Sequence, residues 1–161
     1  MNIFHLDKDP KICAEYHCDR HVVKMVLETA QMLSTAYRKH CGDDILLYKS
    51  ASPKHPMTIW VGESVENFSY AWYLGTYLGL EYKKRYKKIH KSSNIINLFN
   101  WGRFQNVEDR FPMKEFTRPP LCMPDEYKSD DYIQSYRNYY NGDKKRFAKY
   151  TNTSTPEFMC I

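Results

Sequence analysis

Residues 17–38 are HCDRHVVKMVLETAQMLSTAYR, and the placing of polar side chains along this stretch decides the fold. Wound as a helix at roughly 100° per residue, Val22, Val23, Met25, Val26, Leu27, Ala30, Met32, Leu33, Ala36 and Tyr37 cover most of the circumference. His17, His21, Lys24, Glu28, Gln31, Thr35 and Arg38 share the narrow strip that remains. A surface helix has a moderate apolar stripe and a broad polar face. Here the proportions are reversed, so the helix is expected to sink into the core with only the strip at water or in a cleft.

The same period extends outward. Asp9-Pro10 is a helix cap followed by a first helical residue, and the pattern runs from Pro10 to about His40, stopping at Gly42. That is long for a globular helix, which predicts a break near Cys18-Asp19 with Asp19 capping the second segment. Residues 42–55 form a polar loop ending in Pro53-Lys54-His55-Pro56, which cannot be continuous helix. A short helix from Pro56 to Val61 is interrupted by Gly62. Ser64 caps a helix from 65 to about 90, where Val65, Phe68, Trp72, Gly75, Leu78, Tyr82 and Tyr86 recur at helical steps. Gly75 and Gly79 predict close approach to a neighbouring backbone.

From Ser92 to Ser129, Pro112, Pro119, Pro120 and Pro124 predict irregular chain draped over the helices. Asp130 or Asp131 caps a last clear helix, DYIQSYRNYY, ended by Asn141-Gly142, and a shorter helical segment, KKRFAKY, follows. Residues 2–6, NIFHL, are a short strand or an extended arm. The expectation is a mainly α protein: one compact helical domain, 1–161, with a long ordered Pro-rich loop.

The bulk composition narrows the class. With 161 residues, 42% hydrophobic and 27% charged, the chain is globular rather than disordered. Its 14 Tyr, 8 Phe and 3 Trp suit planar ligands. A net charge of +5 allows a polyanionic partner without demanding one. Five cysteines are an odd number, and no charged segment followed by an apolar run opens the chain. Reduced thiols in a cytoplasmic protein are expected, with no membrane span. There is no phosphate-cradling glycine loop, nucleophile elbow or dinucleotide fingerprint.

Four constellations can carry chemistry. On the strip, Glu28 beside Lys24 and His21 is a candidate acid or base, with His17 and Asp19 in support. A carboxylate near a bound base or sugar is what C–N bond cleavage needs for its cationic transition state. The alternatives are an internal polar network or a thin solvated face. His17 and His21 at i,i+4, with Cys13 a turn earlier, have chelating spacing. No HExxH or CxxC completes a set, so neither metal nor cofactor is assigned. Residues 83–91, KKRYKKIHK, supply Lys83, Lys84, Arg85, Lys87, Lys88 and Lys91 with Tyr86 interleaved. That is more positive charge than dipole compensation needs, and it suits contact with phosphates and stacked bases. Lys144, Lys145, Arg146 and Lys149, with Phe147 and Tyr150, repeat the composition. In FTRPPLCMPDEY, Arg118 sits either on a rigid rim beside a pocket or on a packed structural loop.

Taken together, MNIFHLDKDP, CDRHVVKMVLETAQMLSTA, the HP dipeptide with its following Trp, PPLCMPDEY and YRNYY resemble a family of small proteins from tailed bacteriophages, over nearly the whole chain. That family is loosely associated with pyrimidine-dimer DNA glycosylases; Ala14-Glu15-Tyr16 resembles a tripeptide preceding their catalytic pair. The resemblance implies an all-helical DNA-repair fold in which an N-terminal amine attacks the sugar while a helix-borne glutamate assists. It also implies a location in the cytoplasm of an infected bacterium. The function expected is an enzyme acting on DNA bases or nucleotides, most concretely a DNA N-glycosylase-like or base-modifying enzyme. The alternative is a non-catalytic phage accessory protein that binds a nucleotide or a host protein.

Overall fold

The structure is a computed structural model that describes residues 1–100 and 108–160. The part of the Ser92–Ser129 stretch that runs through 101–107 lies outside the described residues.

Helix α1 (Pro10–Tyr16) starts as its sequence dictates: the Asp9 carboxylate accepts from the backbone N–H of Lys11 and Ile12, and Pro10 needs no partner. The chain turns extended at His17 and Cys18 before α2 (Asp19–Cys41) begins. The break falls where expected, but its cap does not. Cys18 occupies the cap position without a side-chain bond, and the Asp19 carboxylate is occupied by the Thr151 N–H and hydroxyl. Helix α2 ends at Gly42, whose φ of +91° suits a residue with no Cβ. As its reversed amphipathicity requires, α2 is sunk in the molecule, packed by α3 (Pro56–Val61), α4 (Val65–Tyr86) and α5 (Lys91–Ile96).

Ser64 Oγ accepts from the Asn67 N–H to start α4. That helix stops at Lys87, which turns left-handed with φ +56°, about a turn before the sequence expectation. His90 then opens α5, its Nδ1 accepting from the Ser92 N–H. A histidine cap among lysines carries little helix-start signal, so this helix was not foreseen. The two glycines of α4 do mark close contacts. A Cβ on Gly75 would stand 2.9 Å from Thr29 Cγ2 of α2 and 3.0 Å from Ile96 Cδ1 of α5. A Cβ on Gly79 would stand 2.6 Å from Ser93 Oγ.

Asp131 caps α6 (Tyr132–Tyr139), accepting from the N–H groups of Ile133 and Gln134. The helix does not end at Asn141-Gly142 but passes through a π-helical turn, Tyr140–Lys144, before a short 3-10 turn, Lys145–Phe147. The widened turn keeps Tyr140 fully buried.

Among the described residues there is no strand, only an isolated parallel bridge between Ser64 and Met113. Residues 2–6 are an extended arm threaded into the core, with Ile3, Phe4, His5 and Leu6 all buried. The proline-rich loop is pinned where α3 meets α4. Thr117 N–H donates to Asn67 Oδ1 at 2.9 Å, Trp60 Nε1 donates to the Thr117 carbonyl at 3.0 Å, and Phe116 N–H donates to Glu66 at 2.8 Å. The molecule is mainly α, with the arm and the ordered loop closing its helical core.

Candidate active site at Glu28

Lys24 and Glu28 stand one turn apart on α2, which brings Lys24 Nζ within 3.3 Å of Glu28 Oε1. Glu28 is itself only 7% exposed. Its other oxygen faces the start of the arm: Oε2 accepts from the Asn2 N–H at 2.9 Å and lies 3.7 Å from the Met1 α-amine. The arm is held at this depth by Asn2, whose Nδ2 donates to the Cys122 carbonyl at 3.2 Å. Asn2 Oδ1 accepts from the Tyr136 hydroxyl at 3.3 Å, and that hydroxyl also reaches the Pro120 carbonyl at 2.8 Å. A carboxylate mostly withdrawn from water therefore stands between two amines. That arrangement can accept a proton from either neighbour and can stabilise positive charge developing beside it.

Two further groups border this site. His55 caps α3 by accepting from the Met57 N–H at 3.1 Å through Nδ1, so its ring proton sits on Nε2. Burial and the nearby α-amine lower its pKa, opposed by the Glu28 charge. The Cys122 thiol is pushed up by burial and drawn back by the amine and Lys128. Neither His55 nor Cys122 stands out in the sequence, whereas an amine at the start of the chain beside a helix-borne glutamate is what the resemblance implied. All three join Glu28 only through long-range packing, and the nearest hint is the Pro-flanked KHP tripeptide.

The rest of the strip separates from Glu28. His17 lies in the break between α1 and α2, fully buried, its Nδ1 donating to the Cys13 carbonyl at 2.7 Å. Burial lowers its pKa to about 4. His21 stacks on Phe4 at 4.3 Å between ring centroids and shares a 2.5 Å hydrogen bond with the Tyr140 hydroxyl. Burial chiefly, with nearby cations, lowers its pKa to about 3. Both rings belong to the aromatic core rather than to a cleft shared with Glu28. Asp19 likewise faces Arg85 and Thr151. The kink at 17–18 and the inserted arm seal the histidine end of the strip.

The lysine-rich end of α4 divides in the same way. Lys83, Lys84, Lys87, Lys88 and Lys91 are exposed. Arg85 is not available to phosphate: its side chain has no exposed surface and pairs with Glu81 at 3.0 Å and Asp19 at 3.1 Å. Tyr86 is half-buried against Tyr82, ring centroids 5.0 Å apart, with its hydroxyl toward the Asp19 carbonyl. It offers no free stacking platform in this state. Arg118 is exposed and donates to the Ser129 carbonyl at 3.3 Å. In the second basic run Lys144 is tied to Asp143 and to the Tyr139 hydroxyl.

Among the described residues no three His, Cys, Asp or Glu side chains are grouped to hold a metal ion. No described helix is long and apolar enough to cross a membrane. No protein-family model, curated protein or solved structure matches this chain.

Proposed function

We propose that the protein is an enzyme acting on DNA bases or nucleotides, most concretely a DNA N-glycosylase-like or base-modifying enzyme, with Glu28 at its reacting centre. The observation that carries this reading is the buried Glu28 carboxylate set between the Met1 α-amine and Lys24 Nζ. In the glycosylase form, Glu28 takes a proton from one flanking ammonium and the freed amine attacks the sugar C1′. The C1′–N bond breaks with its electron pair leaving on the base, which takes the proton back from Glu28. Opening of the sugar ring then leaves an imine between protein and sugar, which water hydrolyses. The exposed lysines at the end of α4 would contact phosphates; His90, beside them, faces the Val23 carbonyl of α2, the residue before Lys24.

Reductive trapping tests this. With borohydride present, wild-type protein should become covalently attached to a damaged or modified oligonucleotide, and Glu28→Gln should abolish attachment while remaining folded. Peptide mapping of the adduct identifies Met1 or Lys24 as the amine. Absence of any adduct or released base across a panel of pyrimidine-dimer, uracil and hydroxymethyluracil substrates would reject the glycosylase form.

A second reading, a non-catalytic phage accessory protein binding a nucleotide or host protein, is favoured by Leu80 and Ile89. These apolar side chains are 56% and 68% exposed among the lysines, more in keeping with a protein contact than with phosphate binding. Under it, Glu28→Gln leaves partner binding intact.

A further inference from the structure

Residues 80–91, LEYKKRYKKIHK, set two aliphatic side chains among lysines. On α4, Leu80, Lys83, Lys84 and Lys87 follow one another at steps of three or four residues and so share one face of the helix. Ile89 comes in the turn that leads to α5. An amphipathic helix turns its apolar side chains to the core, yet Leu80 and Ile89 both stand more than half exposed. Between them lies a hollow of about 200 Å³ along the seam of α4 and α5. Gly75, Gly79 and the fully buried Ile96 form its floor, and Leu80 and Ile89 its rim.

The charge around the hollow is of one sign. Lys84 pairs with Glu81 at 3.1 Å, and Glu81 is also held by Arg85 at 3.0 Å. Lys83, Lys87, Lys88 and Lys91 are exposed and, among the described residues, have no carboxylate partner. An apolar centre with a polar rim is the anatomy of a protein interface, and a hollow of this size takes one aliphatic or aromatic side chain as an anchor. A nucleic-acid strand would use the lysines but set its polar backbone against Leu80 and Ile89. Two aliphatic side chains beside a hollow do not make the broad apolar face that a bilayer takes up. A second copy of this chain, packed about a two-fold axis, would bring its own lysines against these, and like charges facing each other repel.

We propose that this groove docks a segment of another protein that is rich in Asp and Glu and carries one aliphatic or aromatic anchor. The anchor enters the hollow between Leu80 and Ile89, and the carboxylates lie along Lys83, Lys87, Lys88 and Lys91. The anchor supplies most of the affinity, while the charges orient the segment and speed its encounter. Docking here holds under either reading of the preceding section. Where Glu28 also works on a strand, the segment competes with that strand for the lysines.

Selection of a displayed random-peptide library on the full chain tests this, followed by synthesis of the most enriched sequence. Enriched peptides should combine several Asp or Glu with Leu, Ile or Phe, and the synthetic peptide should move the amides of Gly75, Gly79 and Ile89 in an NMR titration. Leu80→Ser together with Ile89→Ser, both on the surface and safe for folding, should weaken the peptide by at least about tenfold. Lys83→Gln together with Lys88→Gln should weaken it less and flatten its dependence on salt. Enrichment no greater than on an unrelated control protein would overturn the proposal. So would enriched peptides without acidic residues, or a peptide that binds either double variant as well as it binds wild type. Duplex DNA or phosphatidylserine vesicles bound through Leu80 and Ile89, with no peptide selected, would assign the groove to a strand or a membrane instead. Glu28→Gln should select the same peptides, so failure of the trapping reaction and failure of docking are told apart.

Discussion

Arg85 donates to Glu81, to Asp19 and to the carbonyls of Glu15 and His17, so one guanidinium ties the end of α1 and the start of α2 to α4. Helix α1 has no basic side chain of its own in its last turn, and Arg85 supplies positive charge where the helix dipole calls for it. Removing it strips the buried Glu81 carboxylate of its closer cation and leaves the Glu15 and His17 carbonyls without the guanidinium they accept from. Arg85→Ala should therefore cost about 3–5 kcal/mol, measured by urea unfolding, whereas Lys84→Ala, half-exposed and paired only with Glu81, should cost less than about 1 kcal/mol. The sequence held a clue to this difference: Glu81 lies four residues before Arg85, the spacing of a helical ion pair. What it could not show is that α1 ends against that same point. Likewise, Lys24 and Glu28 were legible as neighbours on one helix, while the amine opposite them was implied only by the resemblance, because nothing local brings residues 1 and 28 together.

At the scale of elements, the α2–α4–α5 contact turns on a missing side chain. Gly75 faces Thr29 and Ile96, both with no exposed surface, so neither neighbour has room to retreat. Gly75→Val should lower stability by about 1–3 kcal/mol through overpacking, read as a shift of the urea midpoint at unchanged slope. Placing Val instead at Thr76, half-buried on the same helix, should cost less. Helices α1, α3 and α4 were legible because each begins with a standard device, Asp9-Pro10, Pro56 or Ser64, and α2 because its apolar period runs too long for one helix without a break near Cys18. The signals failed where a less usual residue did the work. His90 starts α5, and Gly142, a residue that usually ends helices, sits inside a π-helical turn that carries Tyr140 on to His21.

The whole molecule holds three histidines neutral in one aromatic core. Burial lowers His5 to about 3, His17 to about 4 and His21 to about 3, against an ordinary value near 6.5 in the unfolded chain. As pH falls below about 6.5, the unfolded chain takes up protons that the folded one refuses, so the unfolded state gains and stability is lost. Each histidine contributes about 1.4 kcal/mol per pH unit, giving roughly 4 kcal/mol per unit for three between about pH 6 and 4. Against a typical total of about 5–15 kcal/mol, the fold should be lost by about pH 4, followed by circular dichroism. His5 packs among Trp60, Tyr70, Tyr132 and Tyr136, and neither ring nitrogen has a partner. His5→Phe should therefore remove about a third of that slope with little change in stability at neutral pH. An unchanged slope would show that these histidines do not govern acid sensitivity.

The arm that carries His5 is covered by the far end of the chain. Tyr136 and Arg137 of α6 bond Asn2, Leu6 and Asp7, 130 or more positions away along the chain. On a ribosome adding roughly 5–20 residues per second, the arm therefore waits some seconds for the residues that enclose it. During that interval Ile3, Phe4 and Leu6 have no lasting cover. The helices emerging between cannot finish the core by themselves, so the native state is reached only once α6 has been made.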